Sequence, residues 1–508
     1  MNYERYKYSR YMPSNQESRW ATIEEIQNAG SYIDLSEDHY PAAGIPLLSN
    51  GKEAYVDNQD THTLIFGSTG SKKTRLFCMP MINMFAKSGE SYIVTDPKGE
   101  LYERTSGIAK ANGYKTVVLD FRNIGNGDMW NPLAIPLEIY RSGDKETGMA
   151  MANDFISTIA EPQMQNTKDI FWPEMASSFL LANLLVLMES ADPEEVNVAS
   201  LARMCAADCE KSLVSLSKMM KDDSIAAMNY NGIFVGAADT KRSIYTTAYG
   251  MIRIFNVQKN LTRMLSGNSV NLRNIGKEKT AVYIIVPDEK TTYHFLITAF
   301  IKQSYEVLIS EAQKSPDFKL PVRVNFVLDE FCNMPKIPDM PAMISAARSR
   351  NMRYFLVAQS MHQLKGKYGE DADTIKGNCD NWIFLTSKEL SLLTEISDLC
   401  GTIYTPDNRV RKLISVSELQ RLDKEKGEAL IMHARQYPII AEIADIDQYD
   451  AFKGYAAVPK LPFDLPEVKI FSVKKLLDDI MIGTKKVPFG KVIVPPEENL
   501  FRRPPFPF

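Results

Sequence analysis

Residues 67–74 contain the clearest arrangement of side chains for binding phosphate. The run consists of Gly67, Ser68, Thr69, Gly70, Ser71, Lys72, Lys73 and Thr74. It follows the apolar run TLIF and precedes the helical pattern TRLFCMPMINMFAK, which is the strand, loop and helix order of a P-loop. In a P-loop the glycines let backbone N–H groups curl around phosphates, a lysine neutralises charge, and a hydroxyl ligates Mg²⁺. We therefore expect residues 67–74 to bind ATP, with Lys73 on the β/γ-phosphates and Thr74 on Mg²⁺.

One position departs from the P-loop pattern. Where Gly is expected immediately before the lysine, this chain has Lys72, whose side chain restricts the backbone and would crowd the phosphate. We expect the Lys72 side chain to point outward or to act as a second cation on the phosphate. Because a chance turn rich in Gly, Ser and Lys would also match the octamer, the interpretation depends on a second signal.

That second signal is the acidic pair Asp329 and Glu330 at the end of the apolar run VRVNFVL. Carboxylates are costly at the end of a buried strand unless they hold a cation or polarise water, which is the task of a Walker B strand in P-loop enzymes. We expect Asp329 to hold Mg²⁺ through water and Glu330 to orient or deprotonate the attacking water. A strand-end acidic pair also has a purely structural interpretation, but its occurrence with the octamer favours ATP hydrolysis.

Two further candidates follow the acidic pair. Gln359 ends the apolar run MRYFLVA, and ligand-facing residues of a doubly wound sheet lie at the carboxyl ends of strands. Gln359 is thus a candidate sensor of the γ-phosphate or its water, although a strand-end Gln is more often a plain surface residue. The basic cluster Arg348, Arg350 and Arg353 precedes it. Arg348 follows Glu330 by 348 − 330 = 18 residues, and we expect it to reach the nucleotide of a neighbouring subunit, while at least one of the three arginines is expected to lie at a solvated helix end.

These side chains require a scaffold of alternating strands and helices. Apolar or β-branched runs bounded by turn signals are THTLIFG, SYIVTDPKGE, YKTVVLDF, KTAVYIIVP, VRVNFVLDE, MRYFLVAQS, NWIFLTS and EALIMHA. Their alternation with helical stretches predicts βαβ units and a parallel sheet. Between the third and fourth runs the strand signals disappear and consecutive helical patterns follow. The predicted fold class is α/β, a P-loop nucleotide-binding domain with a mostly parallel central sheet plus an inserted all-α domain.

These patterns also predict the division of the chain. Its 508 residues exceed the size of one hydrophobic core, so two domains are expected. In the N-terminal segment, ATIEEIQNAG predicts a helix that Thr22 caps and Gly30 ends. The predicted segments are 1–50 (N-terminal segment), 51–143 (first half of the nucleotide-binding domain, with the P-loop), 144–255 (all-α domain), 256–448 (second half of the nucleotide-binding domain, with the acidic pair) and 449–508 (Pro- and Phe-rich C-terminal extension).

Charge restricts how the protein contacts DNA. The net charge of −4 and the pI of 5.9 argue against a protein coated in basic charge, so any DNA contact must be local. Runs of like charge are commonly solvated tails, and that is the simpler interpretation of the two basic ends. Basic and aromatic residues concentrate there at Tyr3, Arg5, Tyr6, Lys7, Tyr8, Arg10, Tyr11, Lys485, Lys486, Lys491, Arg502 and Arg503.

Cysteine spacing and hydropathy indicate a cytoplasmic protein. The six cysteines show no metal-ligand spacing and are expected to be reduced and buried. The start, MNYERYKYSRY, lacks the apolar core of a signal peptide. The longest apolar run, residues 175–188, is shorter than the about 20 residues that span a bilayer. We therefore expect a soluble chain.

Six stretches, in their order and spacing, carry a family resemblance over roughly residues 18–445. They are SRWATIEEI from Ser18, the octamer of residues 67–74, TDPKGELYE from Thr95, WNPL from Trp130, VLDEF from Val327 and SRNMRYFLVAQSMHQLKGKYG from Ser349. In these stretches the chain resembles the VirD4/TraG-type coupling proteins of conjugation and type IV secretion. The resemblance implies a RecA-like, hexameric, ring-shaped ATPase that uses ATP and Mg²⁺. The ATPase roles carry over to the residues already named, with Gln359 as the sensor and Arg348 as the trans-acting arginine.

The resemblance also implies partners and a location. The partners are single-stranded DNA, relaxase and other relaxosome proteins, and the ATPase and membrane components of the type IV secretion channel. Residues 144–255 correspond to the all-α domain that contacts the DNA-processing complex. Family members usually begin with transmembrane helices, which this sequence lacks, so we expect a cytoplasmic protein held at the inner face of the plasma membrane by a partner or by a missing N-terminal anchor. A homo-hexamer is expected, with a monomer as the alternative without DNA or an anchor.

Two other functions remain open at this point. A related P-loop DNA translocase, such as a segregation or packaging motor, shares the DPKGE and Walker stretches, although the helical insertion and WNPL favour a coupling protein. A nucleotide-binding recruiting adaptor with little ATPase activity is the second alternative, and Lys72 is its only support. The presence of the phosphate-binding lysine, the hydroxyl and the acidic pair together argues against it, because each has a separate catalytic task.

Overall fold

The computed structural model of the chain describes residues 18–165, 167–287, 289–405, 409–464 and 467–490. These residues form two compact units, and the first contains residues 18–130 and 269–463. The second, helical unit contains residues 131–268 and 464–490. Of the residues noted near the chain ends, Tyr3, Arg5, Tyr6, Lys7, Tyr8, Arg10, Tyr11, Lys491, Arg502 and Arg503 lie outside the described residues.

All strands within the described residues belong to the first unit. They are β1 (Ser31–Asp34), β2 (Ile45–Ser49), β3 (Glu53–Asp57), β4 (Thr63–Phe66), β5 (Ser91–Asp96), β6 (Lys115–Asp120), β7 (Thr280–Ile285), β8 (Val324–Leu328), β9 (Met352–Ala358), β10 (Asn381–Phe384), β11 (Thr402–Tyr404), β12 (Val410–Lys412), β13 (Glu428–His433) and β14 (Ile439–Glu442).

The helices are shared between the two units. They are α1 (Ile23–Ala29), α2 (Met79–Ser88), α3 (Glu100–Ala111), α4 (Ala134–Arg141), α5 (Lys145–Gln165), α6 (Phe171–Ser190), α7 (Val198–Met204), α8 (Glu210–Met219), α9 (Ile225–Phe234), α10 (Ala238–Val257), α11 (Lys259–Met264), α12 (His294–Gln313), α13 (Met340–Ala347), α14 (Met361–Tyr368), α15 (Asp371–Asn378), α16 (Leu390–Leu399), α17 (Val416–Leu419) and α18 (Val473–Met481). A π-helical turn, Thr74–Cys78, precedes α2.

A nine-stranded sheet dominates the first unit, in the order β14-β13-β10-β4-β9-β8-β5-β7-β6. Every pair from β10 to β6 is parallel, and β13 and β14 add antiparallel pairs at one edge. All eight predicted runs are strands of this sheet, and β14 is the ninth. Central strands such as β5, β7, β8 and β9 are buried along their whole length, as parallel strands covered on both faces are. The predicted α/β class with a mostly parallel sheet is confirmed.

A small antiparallel sheet, β1-β3-β2, precedes the P-loop strand. The predicted helix is present as α1, with Thr22 as its cap and Gly30 at its end. The strands β1, β2 and β3 were not predicted from the sequence. Their signals are weak because SYID is short and polar, and Pro46 lies where the pairing of β2 with β3 is irregular.

The second unit is built around α6. This helix packs against α5, α7, α9 and α10, and most of its residues from 176 to 188 are buried. The unit spans residues 131–268, wider than the predicted segment 144–255, and it also includes residues 464–490 with α18. The predicted limits followed the loss of strand signals, which says nothing about the loops and short helices that pack beside the core.

One helix within the described residues, α6, is long and apolar enough to cross a membrane by length and composition alone. It extends beyond the apolar run of residues 175–188 from which the sequence-based length was judged. In its most apolar window 61% of the helix is buried inside the protein. That degree of burial is typical of the core helix of a helical domain. The six cysteines are all buried and free.

Candidate functional site

The P-loop connects β4 to the π-helical turn of Thr74–Cys78. A Cβ atom at Gly67 would lie 2.3 Å from Ser71 Oγ and 2.9 Å from Lys73 Cγ, so only glycine fits there. Gly70 has a φ of 78°, which favours glycine as well. The two glycines therefore allow the chain to fold back over itself immediately before a helix begins.

Two polar side chains of this loop are buried at its centre. The Lys73 ammonium donates a hydrogen bond of 2.5 Å to the Gly67 carbonyl oxygen. Ser71 Oγ is buried and has no hydrogen-bond partner among the described residues. A buried cation and an unsatisfied hydroxyl at the start of a helix are groups that a phosphate would satisfy. The loop thus fits the phosphates of a nucleotide.

Lys72 adopts the backbone conformation that its position in a P-loop demands. Its φ is 68°, in the left-handed region that favours glycine. Its ammonium forms an ion pair of 2.7 Å with Glu425 Oε2, on the loop before β13. Of the two expected directions for this side chain, the structure shows the outward one.

Asp329 lies directly after β8 and contacts the P-loop. The Thr74 hydroxyl donates to Asp329 Oδ2 at 3.3 Å, and the Thr95 hydroxyl donates to the Asp329 carbonyl oxygen at 3.0 Å. Burial, together with the neighbouring Glu330 charge, raises the pKa of Asp329 to about 7. A bound cation would oppose this shift because it stabilises the carboxylate.

A hydroxyl and a carboxylate are hard oxygen ligands of the kind that Mg²⁺ prefers. Within the described residues no group of three or more His, Cys, Asp or Glu side chains has the arrangement of a metal site. Mg²⁺ characteristically uses one or two protein oxygens and completes its shell with water and substrate phosphates. Thr74 and Asp329 therefore fit Mg²⁺ bound together with a nucleotide.

Glu330 is held by two amide side chains. Gln359 Nε2 donates to Glu330 Oε2 at 2.8 Å, and Asn333 Nδ2 donates to the same oxygen at 2.9 Å. Gln359 Oε1 in turn accepts from the Thr69 hydroxyl at 3.4 Å. This link exists because β9 lies between β4 and β8, so the ends of the three strands meet. Asn333 was not singled out from the sequence, although its position three residues after Glu330 is a usable signal.

The DPKGE stretch has a structural role at its first residue. Asp96 is buried at the end of β5 and accepts hydrogen bonds from the backbone N–H groups of Gly99 and Tyr102, both at 2.8 Å. Burial raises the pKa of Asp96 to about 6. Asp96 therefore fixes the turn that starts α3, and β5 lies beside β8 in the sheet.

The three arginines of the basic cluster have different environments. Arg348 is 55% exposed and forms an ion pair of 2.9 Å with Asp380, just before β9 and β10 begin. The P-loop and Gln359 lie at the carboxyl ends of the same parallel strands, and the seven residues of β9 span about 20 Å. Arg348 is therefore not brought to the P-loop of its own chain. Arg350 donates to the Ala346 carbonyl oxygen at 2.8 Å.

Arg353 does not share the exposure of its neighbours. It is 1% exposed within β9 and donates to Glu90 Oε2 at 2.5 Å and to Asn325 Oδ1 at 2.8 Å. Burial lowers the pKa of Arg353, while the Glu90 carboxylate opposes that shift. An arginine enclosed in this way cannot face another subunit, so Arg353 is excluded as a trans-acting residue.

Comparison with known protein families places these residues in context. A family model described as "Type IV secretory system Conjugative DNA transfer" matches residues 19–433. The conjugal transfer protein TraG of Escherichia coli is 21% identical over 418 residues, covering 76% of this chain and 64% of the relative. The protein VirD4 of Rhizobium radiobacter is 23% identical over 397 residues, covering 76% of this chain and 54% of the relative. The chain thus spans less than two thirds of the length of these curated relatives.

A solved structure shares the fold. The plasmid coupling protein TrwB in complex with ADP and Mg²⁺ aligns with a TM-score of 0.61 at 11% sequence identity. The alignment covers 89% of this chain and 98% of the other. At this identity the likeness concerns the fold, and it supports the RecA-like arrangement of the sheet.

Proposed function

The chain belongs to the type IV secretory system conjugative DNA transfer family, and from this premise we propose that it is an ATP-driven motor that moves single-stranded DNA, with relaxase or a protein substrate, to a secretion channel. The observation that carries the proposal is the contact between the P-loop and the acidic pair. Thr74 touches Asp329, and Gln359 joins Thr69 to Glu330. The fold is shared with a coupling protein whose structure holds ADP and Mg²⁺.

In this proposal each side chain of the site has a separate role. Lys73 and the Ser71 hydroxyl hold the phosphates of ATP, and Thr74 with Asp329 holds Mg²⁺, which supplies charge neutralisation for phosphoryl transfer.

Glu330 orients the attacking water and accepts its proton. Gln359 and Asn333 both donate to Oε2, so Oε1 has no donor among the described residues. A positioned carboxylate with one oxygen available is suited to act as a general base.

Assembly completes the proposal. Arg348 lies before the amino ends of β9 and β10, whereas the P-loop follows the carboxyl end of β4. Its charge therefore serves the nucleotide of a neighbouring subunit rather than its own. A homo-hexameric ring supplies such a neighbour for every site. We propose that this ring works at the inner face of the plasma membrane, with relaxosome proteins and the secretion-channel ATPase and membrane components as partners. The helical unit contacts the DNA-processing complex.

ATP hydrolysis by the full chain, with and without single-stranded DNA, tests the motor proposal. We expect Mg²⁺-dependent hydrolysis that DNA stimulates. Lys73→Ala and Glu330→Gln should lower the rate by orders of magnitude, because each lost contact at the reacting phosphate is worth several kcal/mol, and about 1.4 kcal/mol is tenfold. Lys110→Ala and Glu103→Gln, two exposed positions on α3, are charge-matched controls and should keep the full rate.

Three outcomes separate the proposals. If Glu330→Gln hydrolyses ATP at the unmutated rate, the assignment of the base is wrong. Tight nucleotide binding without hydrolysis in the unmutated chain would favour the recruiting adaptor. Hydrolysis stimulated by duplex but not by single-stranded DNA would favour a segregation or packaging motor.

A further inference from the structure

The charges of the helical unit are distributed unevenly along the chain. From residue 131 to 239 there are 16 acidic and 7 basic residues, a net charge of 7 − 16 = −9. From residue 240 to 268 there are 5 basic residues and no acidic ones, a net charge of +5. The next acidic residue in the chain is Glu278. An acidic protein thus concentrates positive charge in one short stretch.

Most of this stretch is the helix α10. Its inner side is buried at Ile244, Ala248, Met251, Ile252 and Phe255, and it packs against α5, α6, α7 and α9. Its outer side carries Arg242, Thr246, Tyr249 and Arg253, at positions i, i+4, i+7 and i+11. This spacing places the four residues on one stripe of the helix. We call these four residues, with Lys241 beside them and Lys259 at the start of α11, the α10 basic face.

The cations of the α10 basic face have no acidic partner in the part of the chain that the structure describes. Among the described residues, no carboxylate lies within ion-pair distance of Lys241, Arg242, Arg253 or Lys259. Elsewhere in the same unit Lys145 pairs with Glu189, and Arg203 pairs with Asp208. The charge of the α10 basic face is therefore available to an external anion.

An exposed tyrosine separates the two arginines. Tyr249 is 41% exposed, so its ring is accessible to a ligand. From Arg242 to Arg253 the helix rises about 16 Å, so the two arginines can contact different phosphates of one strand. Proteins bind single strands with cations that contact the phosphates and with aromatic rings between those cations, because unpaired bases can stack on the rings. In a duplex the bases are already stacked on one another, so the exposed ring favours a single strand.

We propose that the α10 basic face binds single-stranded DNA, with phosphates on Arg242 and Arg253 and a base stacked on Tyr249. This contact rests on the proposed function, since it names where the helical unit holds the transported strand. It requires no nucleotide, so DNA binding can be measured without ATP.

The test measures binding of fluorescein-labelled oligo(dT) to the full chain by fluorescence anisotropy over a range of salt concentrations. The double variant Arg242→Ala/Arg253→Ala should raise Kd at least tenfold and reduce the slope of log Kd against log salt by about 1.4, which is two phosphate contacts at about 0.7 each. Tyr249→Leu should raise Kd roughly 5- to 100-fold with the slope unchanged. Tyr249→Phe, which keeps the aromatic ring, should bind like the unmutated chain. Lys211→Ala/Lys218→Ala on α8 removes the same charge from the same unit and should leave Kd within twofold.

The results that would overturn the proposal are distinct from those against the motor. Unchanged Kd and slope in Arg242→Ala/Arg253→Ala, or an equal loss in the α8 control, would show that α10 does not hold the strand. Equal affinity for a duplex would assign the surface to double-stranded DNA. Displacement of oligo(dT) by an acidic protein alone would assign it to a protein partner. Failure of the motor proposal would appear separately, as absent ATP hydrolysis in the unmutated chain while binding of oligo(dT) persists.

Discussion

Lys72 offers a quantitative check on the P-loop, because two of its features act on stability in opposite directions. Its left-handed backbone, with a φ of 68°, is unfavourable for any residue that carries a Cβ. Its ion pair with Glu425 is favourable. Three variants separate the two effects: Lys72→Ala, Lys72→Gly and Glu425→Gln.

The magnitudes follow from the geometry. A left-handed non-glycine residue costs about 1–2 kcal/mol, whereas glycine avoids this cost and loses about 0.5–1 kcal/mol more backbone entropy than alanine on folding. The side chains of Lys72 and Glu425 are 25% and 68% exposed, so solvent screens their pair and its contribution to stability is small. Lys72→Ala should therefore lower stability by the value of the ion pair, as Glu425→Gln should. From the middle of each range, about 1.5 − 0.75, Lys72→Gly should be more stable than Lys72→Ala by about 0.75 kcal/mol.

Differential scanning calorimetry measures these differences. A chain with two units does not unfold in one step, so the transition to follow is the one that added ADP shifts upward. If Lys72→Ala is as stable as Lys72→Gly, the backbone at residue 72 is not strained and the loop geometry is different. Lys72→Gly should still bind ADP. A variant that has lost this binding would identify Lys72 itself as a phosphate ligand.

Two other predictions test the arginines. In an equal mixture of inactive Arg348→Ala and inactive Glu330→Gln chains, about a quarter of ring interfaces join an intact Arg348 to an intact Glu330, so partial ATPase activity should return; co-assembled chains that stay inactive would rule out action in trans. Arg353→Ala should lower the free energy of the ADP-sensitive unfolding step in urea by about 3–5 kcal/mol, because the largely buried Glu90 loses its close cation and keeps the more distant Arg323, 3.7 Å away, while Arg353→Met combined with Glu90→Gln should recover much of that loss. A loss below about 1 kcal/mol in Arg353→Ala would contradict the buried ion pair.

The alternation of apolar runs and helices predicted every parallel strand of the large sheet, because buried strands need long apolar segments whatever their neighbours are. The cap of α1 was also predictable, since Thr22 and Glu25 form a capping box within four residues. The strands β1, β2 and β3 were missed because their sequences are short and interrupted by polar residues or proline. Their stability comes from pairing with one another, which no local pattern records.

Features that join distant residues were beyond local reasoning. Lys72 and Glu425 are separated by 353 positions, and nothing near either residue predicts their contact. The three clustered arginines looked alike in sequence. Their environments differ because β9 begins at Met352. Arg353 is therefore inside the sheet, whereas Arg348 lies before the strand and is exposed.

The strand order has a consequence for how the protein is synthesised. The strands β4, β5 and β6 come from the first half of the chain, yet none pairs with another of the three, and every neighbour they have follows residue 279. The neighbours of β4 are β9 and β10, which leave the ribosome 352 − 63 = 289 and 381 − 63 = 318 residues after it. At 5–20 residues per second, that delay is roughly 15–60 s. During this interval helices α4–α11 are complete and able to pack, while β4 has no partner strand. The first half of the nucleotide-binding domain is therefore the region of the nascent chain that most needs protection from aggregation.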